Sequence, residues 1–302
     1  MNSRMQVQVL PDNRRLHLHD GPIDLILEAF GTAAEIQLAY EAAIARFHTI
    51  LDELCSELIY LRQPMTLTKP APTGTVARCM AEAVRPYASR HFITPMAAVA
   101  GAVAEEILAA MTSAARLTRT YVNDGGDIAL HLTPGEQFIT GMIDRPDVSK
   151  RHPSLFGTTT IHFDDPIRGI ATSGWRGRSF SLGIADAVTV LAATAAMADA
   201  AATIIANAVD LPSHPAIHRV PASDLAPDSD LGGGLVTQTV GPLSPDEIHT
   251  ALASGLREAE TIRSLGLIHS AALNLQGEVR IVGVPDLSQI SGSSSPRTLT
   301  HA

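Results

Sequence analysis

Apolar and polar positions alternate near the N-terminus. Met5 to Leu10, Arg15 to His19 and Ile23 to Phe30 read as three strands separated by Pro/Asp/Asn and Asp/Gly/Pro turns, an opening antiparallel meander. The period then lengthens to that of a helix. Ile36, Leu38, Ala42, Ala43, Phe47, Ile50, Leu51, Leu54 and Leu58 place an apolar stripe along one amphipathic helix from Ala33 to Tyr60. After the Pro-rich link Lys69 to Gly74, a second helix is predicted from Thr75 to Val84, ending near Arg85 ahead of Pro86. A third starts at Pro95, suited to a first helical turn, and its Met96 to Ala104 stretch is so rich in small residues that it must pack closely.

Strand patterning returns at Thr118 to Val122 and Ile128 to Leu132, joined by a turn at Asn123 to Asp127, and again at Phe138 to Ile143 and Thr158 to Phe163. A loop leads to a strand at Ala187 to Leu191 and a helix at Ala193 to Ala208. Leu211 to Asp230 reads as a polar surface excursion. A strand after Gly232-Gly233-Gly234, a helix from Ser244 (its N-cap) to Ser264 and a hairpin at Leu267 to Val284 complete the pattern. Strands and long helices mix without regular βαβ alternation, so the predicted class is α+β, antiparallel sheets packed with long helices. One compact unit is expected over residues 1–287, followed by a disordered tail, 288–302.

Composition narrows the possibilities. Hydrophobic residues make up 45% of the 302 but aromatics only 4%, so the core must be built from Ala, Val, Ile and Leu. The chain has 22 basic against 31 acidic residues and no basic block, which argues against nucleic acid as a partner. Cys55 and Cys79 sit in helical patterns without ligand spacing; both are expected to be buried small hydrophobes rather than a disulfide or zinc site. The N-terminus has no continuous apolar run, so no signal peptide is expected. The long apolar stretch Ile184 to Val209 is interrupted by Asp186 and Asp199, which fits a buried element better than a membrane span. A cytoplasmic protein is expected, and the small-residue helices suit a homo-oligomer.

Three places could carry chemistry. Asp199 and Thr203, four apart on an alanine helix, can offer oxygens to Mg²⁺, which keeps several waters and needs few protein ligands; alternatively Thr203 bonds back to a helix carbonyl. The turn Asn123-Asp124-Gly125-Gly126-Asp127 can bring amides close to a phosphate or can be a plain hairpin turn. The loop Gly169 to Gly183 combines Thr172, Ser173, Gly174, Arg176, Arg178, Ser179 and Ser181, which suits an anionic ligand or a solvated loop. Ser179-x-Ser181-x-Gly183 is not a nucleophile elbow, because a strand and not a helix follows it. None of the twelve histidines makes a metal-ligand pair of the HExxH kind.

Taken together, Pro95 to Glu105, the Asn-x-Gly-Gly-Asp type turn at Asn123 to Asp127, and Gly169 to Val209 resemble the ApbE superfamily of FAD:protein FMN transferases, and most closely its short, uncharacterised branch. The resemblance implies a T-fold-related architecture, an FAD or FMN ligand, a possible protein acceptor and an Mg²⁺ site. Ala198-Asp199-Ala200 with Thr203 matches the family's metal motif. Gly125-Gly126-Asp127, with Asn123 and Asp124, matches its nucleotide-side turn, and Thr172-Ser173-Gly174 its Thr-Ser-Gly. Two departures stand out. Ala100-Gly101 with Glu105 replaces Lys-Gly with an Asp four residues on, and Arg178 to Gly183 replaces the His-His-x-x-Asp-Pro segment that supplies the base. The resemblance therefore implies either FMN transfer with an altered loop, or a diverged enzyme acting on a small anionic metabolite, with Arg176 and Arg178 holding the anion and Ser179 or Ser181 as donor or nucleophile. A non-catalytic ligand-binding protein on the same fold is the third alternative.

Overall fold

A computed structural model of the chain describes residues 4–143, 155–283 and 287–288. In chain order the elements begin with β1 (Gln6–Val9), β2 (Leu16–Asp20), β3 (Ile23–Phe30), α1 (Ala33–Ser56), the single turn α2 (Leu58–Leu61), α3 (Thr75–Val84) and α4 (Val99–Ala114). Next come β4 (Arg119–Asp124), β5 (Asp127–Leu132), β6 (Gln137–Ile143), β7 (Leu155–His162), β8 (Gly169–Ser173), β9 (Ala187–Ala192) and α5 (Ala195–Ala208). The rest is β10 (Ile217–Pro221), α6 (Ala222–Leu225), β11 (Leu235–Val240), α7 (Pro245–Ser264), β12 (Ser270–Leu275), β13 (Glu278–Val282) and β14 (Leu287–Ser288). The α+β class predicted from the pattern is the class observed.

Contacts group the chain into two compact units. The first takes Met1–Gln137, His162–Ala171 and Ala192–Ala200, and the second Phe138–Ile161, Thr172–Leu191 and Ala201–Ala302. No linker composition betrays the division, because the chain crosses it inside continuous elements such as β8 and α5. Of the expected tail, Ser288 belongs to β14 and 289–302 lie outside the described residues.

In the first unit the ladder runs β1-β2-β3-β4-β5-β8, with antiparallel pairing. Alternation does what it predicts: Leu16 and Leu18 of β2 and Ile23, Leu25 and Leu27 of β3 turn to one face and are buried. α1 begins at Thr32, whose hydroxyl accepts from the Glu35 amide, and it buries Ala39, Ala43, Phe47, Ile50 and Leu54 at helical spacing. The helix expected to reach Tyr60 breaks at Glu57. That residue leaves helical geometry, and its carboxylate accepts the Thr73 and Gly74 amides that precede α3 at 2.9 and 2.6 Å. α4 packs against α1, α3, β4 and β5 through Ala102, Val103, Ala104, Ile107 and Met111. Pro95–Ala114 is long and apolar enough, at a mean hydropathy of 1.3, to cross a membrane by length and composition; in the fold those contacts account for its apolar character.

Both cysteines differ from expectation. Cys55 is exposed because it lies off the 39–43–47–50–54 face of α1, and Cys79 is half-buried with its Sγ 3.4 Å from Glu105 Oε2.

In the second unit β9, β12 and β13 form an antiparallel ladder covered by α7, and β14, β7 and β6 form another. Gly255 of α7 admits close packing: a Cβ there would lie 2.3 Å from Val209 Cγ2 and 2.7 Å from Leu273 Cδ2. The predicted surface excursion Leu211 to Asp230 is instead partly ordered. β10 pairs with β11 through a bulge at His218/Arg219, and α6 follows; the short run between Pro215 and Pro221 hides its alternation. α7 starts on Ser244 as the sequence predicts. The Ser244 hydroxyl accepts from the Glu247 amide, and the Glu247 carboxylate accepts from the Ser244 amide at 2.7 Å, a full capping box. The same carboxylate meets His214 Nε2 at 2.8 Å, while His214 Nδ1 faces the Ala216 amide at 3.2 Å, which tethers the β10 approach to the helix start.

Ser244→Ala is therefore expected to cost about 1 kcal/mol of stability, measured as a lower urea midpoint with unchanged slope.

Candidate functional site

The N-termini of α4 and α5 are held by each other's carboxylates. On α5, Asp199 Oδ2 accepts the Gly101 amide of the first turn of α4 at 3.1 Å, and the Ala100 amide also contributes. On α4, Glu105 Oε1 accepts the Ala196 amide of the first turn of α5 at 2.7 Å. Thr194 completes the α5 start by accepting from the Met197 amide at 3.3 Å. Each carboxylate satisfies amides that a helix start leaves without partners, in the favourable field of the helix dipole. The approach is possible only because residue 101 is glycine. A Cβ there would lie 2.4 Å from the Ala195 carbonyl oxygen and 2.7 Å from the Ala196 nitrogen, both backbone.

Asp199 is only partly buried as a residue, but its carboxyl end is enclosed. Burial, reinforced by the negative charge of Asp124, pushes its pKa up to about 7 against the pull of the Gly101 and Ala100 amides. Asp124 is itself buried, 7% exposed, at the end of β4. The turn expected over Asn123 to Asp127 is shorter than that. Asn123 and Asp124 are strand residues, Asp127 opens β5, and the turn is Gly125-Gly126 alone, with φ of 63° and 115°. Two successive positive φ values make the tight hairpin turn that twists with its strands, and glycine is the residue that adopts them freely. The Gly126 amide donates to Asn123 Oδ1 at 2.8 Å, so Asn123 serves the turn.

Thr203 stands one helical turn beyond Asp199 on α5 and belongs to the second unit. Among the described residues no group of three or more His, Cys, Asp and Glu side chains forms an all-protein metal cage. The Asp199 carboxyl, raised in pKa by burial and by the charge of a second buried carboxylate, Asp124, is a group whose ionised form a nearby cation would favour.

The loop after β8 is organised by a residue the sequence reading treated only as an interruption of an apolar run. Asp186, 7% exposed, accepts the Trp175 indole N–H at 3.0 Å and Arg176 Nε at 2.6 Å on Oδ1, and the Gln276 amide at 2.5 Å on Oδ2. The Arg176 guanidinium also lies 4.4 Å from the Trp175 ring centre. Gly174 is required where it stands, since a Cβ would meet the Asp186 carbonyl at 2.5 Å. Thr172 is exposed with its hydroxyl 3.0 Å from that of Thr189, and Ser173, half-buried, ends β8.

Arg178 and Ser179 are exposed. Ser181 is not available in the way the sequence suggested: it is 3% exposed, its hydroxyl meets Asn207 Oδ1 at 3.2 Å and it accepts the Gly183 amide at 3.2 Å. Asn207 Oδ1 also accepts the Leu182 amide at 2.9 Å. Its position was legible, for Asn207 extends the 199–203 spacing by a further four, on the same helix face.

Two outcomes follow from this geometry. Gly101→Ala is expected to lose about 2–3 kcal/mol in urea unfolding, because the clash is with backbone and no rotamer relieves it. Because the folded pKa of Asp199 lies above its ordinary 3.8, the fold holds that proton more tightly than the unfolded chain does. Its contribution is complete below the unfolded value and is lost as pH rises through about 7. Metal-free protein should thus lose stability between about pH 4 and about pH 7, and Asp199→Asn should flatten that slope; an unchanged slope would assign it to other groups.

Sequence comparison agrees with the motifs. A UPF0280 protein of Methanopyrus kandleri is 37% identical over 152 residues, 48% of this chain and 56% of that protein. A UPF0280 protein of Methanothermobacter thermautotrophicus is 33% identical over 173 residues, 54% and 62% respectively. The matches span about half the length of the curated relatives. Among solved structures, a flavin transferase ApbE from Vibrio cholerae aligns over 89% of this chain and 96% of that one, at 11% identity and a TM-score of 0.37. The profile of one family, described as AbpE bacteria, matches residues 7–281, and the chain belongs to that family.

Proposed function

We propose that the protein is a Mg²⁺-dependent flavin-nucleotide transferase of the ApbE type, moving FMN from FAD to a protein hydroxyl. The observation that carries the reading is the enclosed carboxyl of Asp199, on a helix with the Ala-Asp-Ala-x-x-Thr pattern in a chain of this family, its pKa raised by burial and by the charge of the buried Asp124 at the end of β4. Asp199 and Asp124 would hold the cation. A bound Mg²⁺ would supply positive charge to phosphate oxygens. The Gly125-Gly126 turn is the candidate contact to the nucleotide.

The loop from Arg176 to Ser181 supports a changed rather than a conserved mode of catalysis. It contains no side chain that takes a proton at neutral pH, Arg176 is already paired with Asp186, and Ser179 is its accessible hydroxyl. The base for the acceptor hydroxyl therefore lies outside this loop.

Purified protein should be stabilised against heat by FAD more strongly with Mg²⁺ than without it, and Asp199→Ala should abolish the Mg²⁺ increment. Incubation with FAD, Mg²⁺ and an acceptor domain should give a covalently fluorescent acceptor. An acceptor that stays free of flavin would overturn the transferase reading, and turnover of a small organic anion without FAD would replace it with the diverged-enzyme alternative.

A further inference from the structure

Away from the carboxylate pair, the first unit carries an open groove of about 300 Å³ between α4, β5 and the start of α5. Its lining is mixed: Leu108 and Ala109 of α4, Leu130 of β5 and Ala193 are apolar, while Thr112, His131 and Thr194 are polar. Arg168 stands at its edge. Arg168 Nη1 donates to the Asp165 and Ile167 carbonyls at 2.7 and 2.6 Å, and Nη2 donates to the Phe163 carbonyl at 2.6 Å.

These bonds fix the guanidinium without discharging it, because all three acceptors are neutral backbone groups. Among the described residues no carboxylate pairs with it. Guanidinium has five N–H donors, so two remain after the three carbonyl bonds. The one carboxylate lining the groove, Glu105, is turned to other work: its two oxygens accept from the Ala196 amide and the Cys79 thiol.

We propose that this groove binds a small organic anion, its carboxylate on Arg168 and its short apolar body along Leu108, Ala109 and Ala193. A fixed, undischarged arginine lining a concavity with an apolar side at Leu108, Ala109 and Ala193 matches a ligand with one charged end and one apolar end. His131 lines the same groove and reports on the charge state there. Its pKa is lowered first by burial and further by the charge of Arg168, against a hydrogen bond to the Leu117 backbone. An anion seated on Arg168 offsets that repulsion and raises it again.

This inference is independent of flavin binding. The test is NMR titration of the His131 ring, assigned with His131→Gln, using sodium butyrate as the probe and n-butanol as the uncharged equivalent. Butyrate should shift the His131 resonance saturably and raise its midpoint, and butanol should not. Arg168→Gln should weaken the effect at least about tenfold. Because Arg168 also holds the 163–167 segment, Ala109→Trp serves as a second variant: it fills the groove from an exposed helix position and leaves Arg168 in place. It should abolish the shift. A His131 resonance indifferent to butyrate, or one that responds equally in Ala109→Trp, would overturn the proposal.

Discussion

The reciprocal cap between α4 and α5 is the constraint from which the rest of the first unit follows. Two helix starts meet so closely that the backbone of one fills the space where residue 101 would carry a Cβ. Helix starts brought together present unpaired amides and like partial charges to one another, which is unfavourable unless acceptors intervene. Asp199 and Glu105 are those acceptors, each reaching from its own helix to the other's first turn. Neither is dispensable, since losing one would leave buried amides without partners.

The same arrangement gives Glu105 a partner for each oxygen. One reaches the Ala196 amide at 2.7 Å and the other lies against Cys79. It also sets the electrostatics of the candidate cation site. A carboxylate recruited to cap a buried helix start is desolvated, and Asp199 has in addition the charge of Asp124 to contend with. Capping amides and a neighbouring acid pull in opposite directions, and a cation would favour the ionised form of both.

The second unit solves a similar problem with different groups. Its loop after β8 crosses close to backbone at Gly174, and Asp186 gathers the indole, guanidinium and amide donors that this brings in. Asn207 does the same for Ser181 and Leu182. A loop that looked like a collection of ligand-binding hydroxyls and guanidiniums is therefore in large part tied to its own framework. Arg178 and Ser179 are its outward-facing polar side chains.

By itself the sequence determined the period of most elements, β10 and α6 excepted. The β1–β3 meander, the bounds of α3, the Ser244 cap and the small-residue character of α4 and α5 were all legible, because each depends on residues within a turn or two of chain. The Asp-Thr spacing on α5 was legible for the same reason. Tertiary structure decided the rest. Glu57 ends α1 because the amides it receives lie sixteen and seventeen residues on. Ser181 is buried by a contact with Asn207, twenty-six residues away. Asp199 acquires its raised pKa from burial and from the charge of Asp124, neither of which its neighbours in sequence specify. Local patterning fixes which residues share a face; which face meets which, and hence which polar groups are desolvated or paired, is settled only when distant segments close-pack.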